Sequence, residues 1–252
     1  MWVKVLLIRV ALLGSLLVLW EIAPRLGWTD TEVFPPLSLV LRTLVELLQD
    51  SRFMGNMLIT AQRVVMAFLI ATPFSIAVGI YVGARVSLYR AVSPLLQLSL
   101  SIPQSILLPV FILALGIGSL QKVVFGITHI VFIVILNAII AARSVPTGFS
   151  LVARSFGATA AETYLKFYLP AMVPYLMTGL RLGLILDIIG VLLAEMYGSR
   201  DGVGIMIFMW GEYPGSAHKL MAGVVLISIF TIALNESLRA WEQRLGRWRV
   251  AS

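Results

Sequence analysis

Two carboxylates sit where carboxylates are costly. Asp187 lies well inside an apolar run near Met172–Met196, and Glu195 follows two turns on, near the end of that run. An ionisable group at such depth faces the interior of a helix bundle or a water-filled cavity. The chemistry open to the pair is therefore an ion or proton relay or contact with a solute, set against a hydrogen bond to a neighbouring helix. Gly179, Gly183, Asp187, Gly190 and Ala194 follow at steps of four, four, three and four, which puts them on one narrow polar helix face. In another apolar run His129 and Asn137 stand two turns apart. They could touch a solute, although such residues more often make interhelical hydrogen bonds. Gly183, Asp187, Gly190, Glu195 and His129 form the candidate pathway set. Two histidines and no cysteine exclude a histidine-rich or thiolate metal site. No G-x-x-x-x-G-K-[ST] loop, Ser/His/Asp pattern or H-E-x-x-H motif occurs. With no catalytic group, metal or cofactor of its own, the chain must draw energy from a partner or run downhill.

The elements that would position these residues are set by composition. Of 252 residues, 60% are hydrophobic and 12% charged, about half the charge of a soluble domain. Crossing about 30 Å of hydrocarbon takes roughly 20 helical residues. Six runs suffice: Val3–Ala23, Leu58–Val82, Val92–Leu115, Val123–Ala142, Met172–Met196 and Leu220–Leu238. The expectation is one all-α polytopic membrane domain, 1–252. The first run has Arg9 inside it and no clear small-x-small cleavage site, so it reads as a retained span rather than a signal peptide.

Lysine and arginine placement sets orientation. With the N-terminus in the cytosol, the inner segments hold ten basic residues and the outer segments six, while most acids fall outside. The +7 charge is thus a bias toward one membrane face and not a nucleic-acid patch, and both termini face the cytosol. In the second span Ala67, Ala71, Ser75, Gly79 and Gly83 recur every four residues, a ladder on which another helix can pack closely. Pro94, Pro103 and Pro109 predict a bent, partly opened third span, which either lines a pathway or merely packs. Leu37–Leu48 reads as an amphipathic helix on the outer surface or part of a landing surface for a partner. Gly198–His218 reads as a re-entrant or surface helix. Arg239–Ser252, with four arginines and two tryptophans, reads as a helix resting on anionic lipid.

One stretch between spans is basic yet patterned: 144–170. Pro146 stops the run before it, and Pro170 is expected to stop its second half. Gly157 suits the left-handed turn after a helix. Thr159-Ala160-Ala161-Glu162 is a capping-box pattern. The result is a helix–glycine–helix elbow, a knob offered to something outside the membrane.

The run Ala153-Arg154-Ser155-Phe156-Gly157-Ala158, followed by Leu169-Pro170-Ala171, resembles the EAA loop of bacterial ABC-importer permeases. More narrowly the chain resembles their nitrate/sulfonate/taurine branch. The match runs through Ile102-Pro103, Leu108-Pro109, Gly116-Ile117-Gly118, Thr178-Gly179-Leu180-Arg181, Ala194-Glu195-Met196 and Gly202-Val203-Gly204, in the family's order. The resemblance implies a type I importer permease fold: six transmembrane helices with a cytosolic coupling loop, in the bacterial inner membrane. It also implies a second permease copy, two cytosolic ATPase subunits that bind ATP and Mg, and a periplasmic or lipid-anchored solute-binding protein. ATPase coupling would fall on Leu151, Val152, Ala153, Arg154, Ser155, Phe156, Gly157 and Ala158. The family's motif glutamate falls at Leu151 here, and its first alanine at Val152, so an acidic contact to the ATPase does not carry over. The branch handles sulfonates, taurine, nitrate and vitamin-precursor heterocycles. The competing class is a stand-alone channel or secondary carrier, with Asp187, Glu195 and His129 as relay. Such a carrier usually shows repeated halves and more spans, and no internal repeat is visible.

Overall fold

The computed structural model describes residues 2–146, 148, 153 and 155–245. Within lipid the backbone can satisfy its own polar groups only as helix or closed barrel, and the apolar runs all become helices. They are α1 (Trp2–Arg25), α2 (Leu37–Gln49), α3 (Ser51–Gly83), α4 (Val86–Ser101), α5 (Leu108–Leu115), α6 (Ser119–Ser144), α7 (Ala160–Met196), α8 (Val203–Glu212) and α9 (Ala217–Leu245). Five of them, α1, α3, α6, α7 and α9, are long and apolar enough to cross a membrane. The pair α4–α5 makes a sixth span if counted as one, bent by 78°.

That bend has a local cause. Pro103 brings no N–H and forces Ile102 into an extended conformation, φ −80° and ψ 123°. A 3₁₀ turn, Gln104–Leu107, then redirects the chain into α5. Pro170 acts differently from expectation. It does not end a helix, because a π turn over Tyr164–Tyr168 widens the backbone just before it. The Leu169 N–H reaches back to the Tyr164 carbonyl, relieving the clash and missing donor that proline would impose. Helix α7 therefore runs unbroken from the capping box to Met196.

The centre of the molecule is α3, α6 and α7. Helices α3 and α6 run parallel. An added Cβ at Gly79 would lie 2.6 Å from the Ile135 carbonyl oxygen, and one at Gly83 2.9 Å from that of Ile139. The ladder Ala67, Ala71, Ser75, Gly79 and Gly83 is buried throughout and forms this seam. Helix α7 runs the opposite way on α6, with Gly179 against Asn137, Gly183 against Val134 and Gly190 against the His129 ring. The end of the trio bearing Ser51, Ser119 and Met196 thus lies opposite the end bearing Gly83, Ser144 and the 144–170 elbow. At the elbow end Arg85 stacks over Tyr81 and Arg143 over Tyr89, at 3.7 and 4.1 Å. Arg181 pairs with Glu242 of α9 at 3.4 Å.

The remaining helices are peripheral. α2 turns Val40, Thr43 and Leu47 inward. The two apolar residues join Phe53, Ala222 and Leu226, so protein covers this apolar stripe. α8 is ten residues long, about 15 Å and too short to cross; its Trp210 stacks on Phe53 at 6.1 Å. α1 meets the bundle near its C-terminal end, where Trp20 Nε1 donates to the Pro35 carbonyl and Glu21 accepts from the Ser38 N–H and hydroxyl.

Because the α3–α6 seam has no room for a side chain at Gly79, Gly79→Leu should lower stability by about 3 kcal/mol through overpacking. Thermal unfolding of the purified protein measures this. Gly14→Leu, in open space on α1, is the control expected to unfold like the parent.

Candidate functional site

Two places concentrate chemistry, one at each end of the central trio. At the elbow the first helical turn closes as expected. Gly157 has φ +73°, and the Ala158 N–H donates to the Ala153 carbonyl at 3.0 Å. This six-residue closure around a left-handed glycine satisfies a helix's last carbonyls. The Thr159 hydroxyl accepts from the Glu162 N–H while the Glu162 carboxylate accepts from the Thr159 N–H. Lys166 braces the same carboxylate at 3.0 Å. Ala153 is fully buried, and Phe156 is 83% exposed. Of the residues expected to couple, Ala153, Ser155, Phe156, Gly157 and Ala158 are thus placed; Leu151, Val152 and Arg154 lie outside the described residues.

The opposite end holds a buried polar cluster centred on Arg63 of α3. Its Nη1 donates to Glu195 Oε1 at 2.7 Å and to the Asp201 backbone carbonyl at 3.2 Å. Its Nη2 donates to the Asp201 carboxylate and, at 2.8 Å, to the Ser119 hydroxyl. Arg63 is 3% exposed and Glu195 0%. Glu195 accepts further bonds from the Thr60 hydroxyl and the Gly204 N–H, both at 2.9 Å. The Val203 N–H donates to Thr60 Oγ1, and the Gly202 N–H to Asn56 Oδ1. Lys122, fully buried, donates to the carbonyls of Ile117 and Gly198. The turn from Gly198 to Gly204 is thereby tied to α3, α6 and the end of α7.

Local sequence makes this fit possible. Gly202 has φ +96°, and a Cβ there would overlap the Glu195 carboxylate. A Cβ at Gly204 would lie 2.5 Å from that of Glu195. The two glycines let the turn close over the carboxylate. Hydrogen bonding to Arg63 holds the Asp201 carboxyl below the usual carboxylate range. A depressed value means this contribution is present above about pH 4 and lost as pH falls through the lower folded-state value. The tie is therefore intact at neutral and mildly acidic pH.

The expected pathway residues divide between two settings. Gly183, Gly190, His129 and Asp187 meet in the α6–α7 contact. Asp187 is fully buried, neither carboxylate oxygen has a hydrogen-bond partner among the described residues, and Oδ1 fills the space above Gly126. His129 Nδ1 is 2.9 Å from the Phe125 carbonyl, and Asn137 donates to the Ile133 carbonyl. Glu195 belongs to the Arg63 cluster. Arg63 itself escapes the sequence reading, because it lies inside an apolar run and its partner is 132 positions away. The available signal was a cation in one span with a carboxylate near the end of another, since buried charges must pair.

The family model for binding-protein-dependent transport system inner membrane components matches residues 71–249. The putative aliphatic sulfonates transport permease protein SsuC of Bacillus subtilis (strain 168) is 28% identical across 98% of this chain and 88% of its own length. The taurine transport system permease protein TauC of Escherichia coli (strain K12) is 27% identical across 96% of this chain and 89% of its own. The formylaminopyrimidine transport permease protein ThiX of Halalkalibacterium halodurans is 25% identical across 93% of this chain and 92% of its own.

Removing one member of a buried ion pair strands the other and costs about 3–5 kcal/mol. Arg63→Met and Glu195→Met should each destabilise by that order in thermal unfolding. The double variant should cost clearly less than the two combined; strict additivity would show that the pair does not interact.

Proposed function

Since the chain belongs to the family of binding-protein-dependent transport system inner membrane components, we propose that it is the permease subunit of an ATP-binding-cassette importer for a small organic or inorganic anion. Sulfonates, taurine and nitrate are the named solutes of relatives. A second reading, a vitamin-precursor heterocycle as solute, is supported by the similarity to the formylaminopyrimidine permease. The membrane component of such a transporter is not an enzyme. ATP and Mg bind to partner subunits, and this chain carries no phosphate-binding loop.

Two copies of the chain enclose the pathway, with both termini and the elbow in the cytosol. Two ATPase subunits take up the elbows, and an outside binding protein delivers the solute. Residues 151–158 make the dock. Support comes from Phe156, an exposed aromatic side chain held on a turn that Gly157 and the capping box make rigid. Movement of the ATPase passes into α7, which continues from the elbow without a break, and into α6, which α7 packs against. The trio then tilts as a body.

The broken span offers the pathway wall. A cavity of about 760 Å³ opens beside it, lined by Ser105, Leu108, Ile112, Leu113, Leu193 and Tyr197 among others. Non-helical backbone at membrane depth is tolerated where it is buried in protein or lines water. Asp187, Gly183, Gly190 and His129 we read as packing groups between α6 and α7, and Glu195 as the anchor of the outer turn.

The observation that carries the reading is the glycine elbow on an ATP-site-free, membrane-spanning chain of this family. Gly157→Leu puts a side chain on a left-handed residue in open space. It should abolish ATP-driven solute uptake and ATPase association, with thermal stability of the spans kept near the parent's. Normal uptake by that variant, with its ATPase present, would refute the coupling role.

A further inference from the structure

The end of the trio opposite the elbow carries a cavity of about 410 Å³ between the first turns of α3 and the turn leading into α8, with apolar walls from Ile59, Ile205, Met206 and Met209. Its lining includes Ser51, Arg52, Asn56, Arg200 and Asp201. The volume falls within the range of small-ligand pockets.

Its charge is unbalanced. Arg52 and Arg200 are both exposed, and neither has an ion-pair partner among the described residues. The lining carboxylate, Asp201, is already committed to Arg63 and the Ser199 hydroxyl, so it does not neutralise them. Asn56 uses its amide oxygen on the Gly202 N–H. Nearby, the Asp50 carboxylate accepts from the Arg52 backbone N–H, and Asp50 is not among the lining residues. Buried Lys122, outside the lining, is bonded to carbonyl oxygens and to no carboxylate. In the lining itself Arg52 and Arg200 thus outnumber Asp201. Two free guanidinium groups suit an oxyanion, which they can grip through paired N–H donors.

We propose that this cavity is a reception site for a small organic anion with a sulfonate-like head, held by Arg52 and Arg200. It deepens the importer reading and rests on it, because the cavity lies on the face from which solute arrives.

The test uses the full-length chain in lipid nanodiscs at low ionic strength, titrated calorimetrically with ethanesulfonate, taurine and nitrate, with glycerol as the neutral probe. Ethanesulfonate should bind saturably and glycerol should not. Arg52→Gln and Arg200→Gln should each weaken binding about tenfold, the equivalent of one lost charge-assisted contact. The double variant should abolish it. Lys219→Gln, which removes an exposed cation outside the cavity, should bind like the parent. No saturable binding of any anion, or binding that the arginine variants leave unchanged, overturns the proposal. So does a result in which the variants bind anion normally but lose cross-linking to an acidic protein partner, for then the arginines form a docking contact. Co-purification of a nucleotide-hydrolysing subunit with the same preparation reports on the importer reading separately.

Discussion

A guanidinium group in hydrocarbon must find its counter-charge inside the protein, and Arg63 finds it on two segments at once. Its fork spans Glu195, at the end of one long helix, and Asp201, on the turn that follows. Most of the architecture at this end of the trio follows from that demand. The turn must fold back over Glu195, which needs glycine at 202 and 204. It must also offer backbone donors, which Thr60, Asn56 and Glu195 consume. The short helix α8 starts where those bonds end and is held at the membrane face by them, not by its own length. Buried pairs add little net stability relative to a well-packed apolar core. Their value here is geometric, since the cluster ties three helices and one turn to one another.

The two ends of the central trio are joined by different physics. Near Arg63 the joints are directional hydrogen bonds, which hold one geometry and fail abruptly when a partner is lost. Toward the elbow they are close approaches, to backbone at Gly79 and Gly83 and to the Asn137 side chain at Gly179, held by dispersion over short distances. Around this body sit parts with fewer ties. The broken span bends away between α4 and α5. The outward residues of α1, from Val5 to Leu19, are largely exposed. A body with firm connections between α3, α6 and α7 and looser connections at its edge transmits displacement along its long axis and gives way at its flank.

Legibility in the sequence followed locality. The spans, the small-residue ladder, the capping box and the glycine turn were all readable, because each is a pattern within one helix or one turn. The proline-broken third span was readable as a break, while its angle depended on the 3₁₀ turn that follows. Pro170 misled because a proline usually stops a helix, and the remedy, one widened turn upstream, leaves no mark in residue spacing. Arg63 was missed because its partner lies in a distant span, and the complete burial of Lys122 leaves no local mark in the sequence. Asp187 was legible as an ionisable group deep in a span. Its immediate surroundings, Gly126 and Val191, were not legible, because they depend on how α6 and α7 cross.

The widened turn at Tyr164–Tyr168 has a consequence for how such a chain can vary. It sits between the elbow and the main length of α7 and accommodates one residue more than a regular turn. Each residue added to or taken from a helix swings everything beyond it by about 100°. The azimuth of Phe156 about the axis of α7 is therefore indexed at that single joint. A one-residue insertion or deletion there would re-aim the knob around the compass while leaving every contact within the lipid in register.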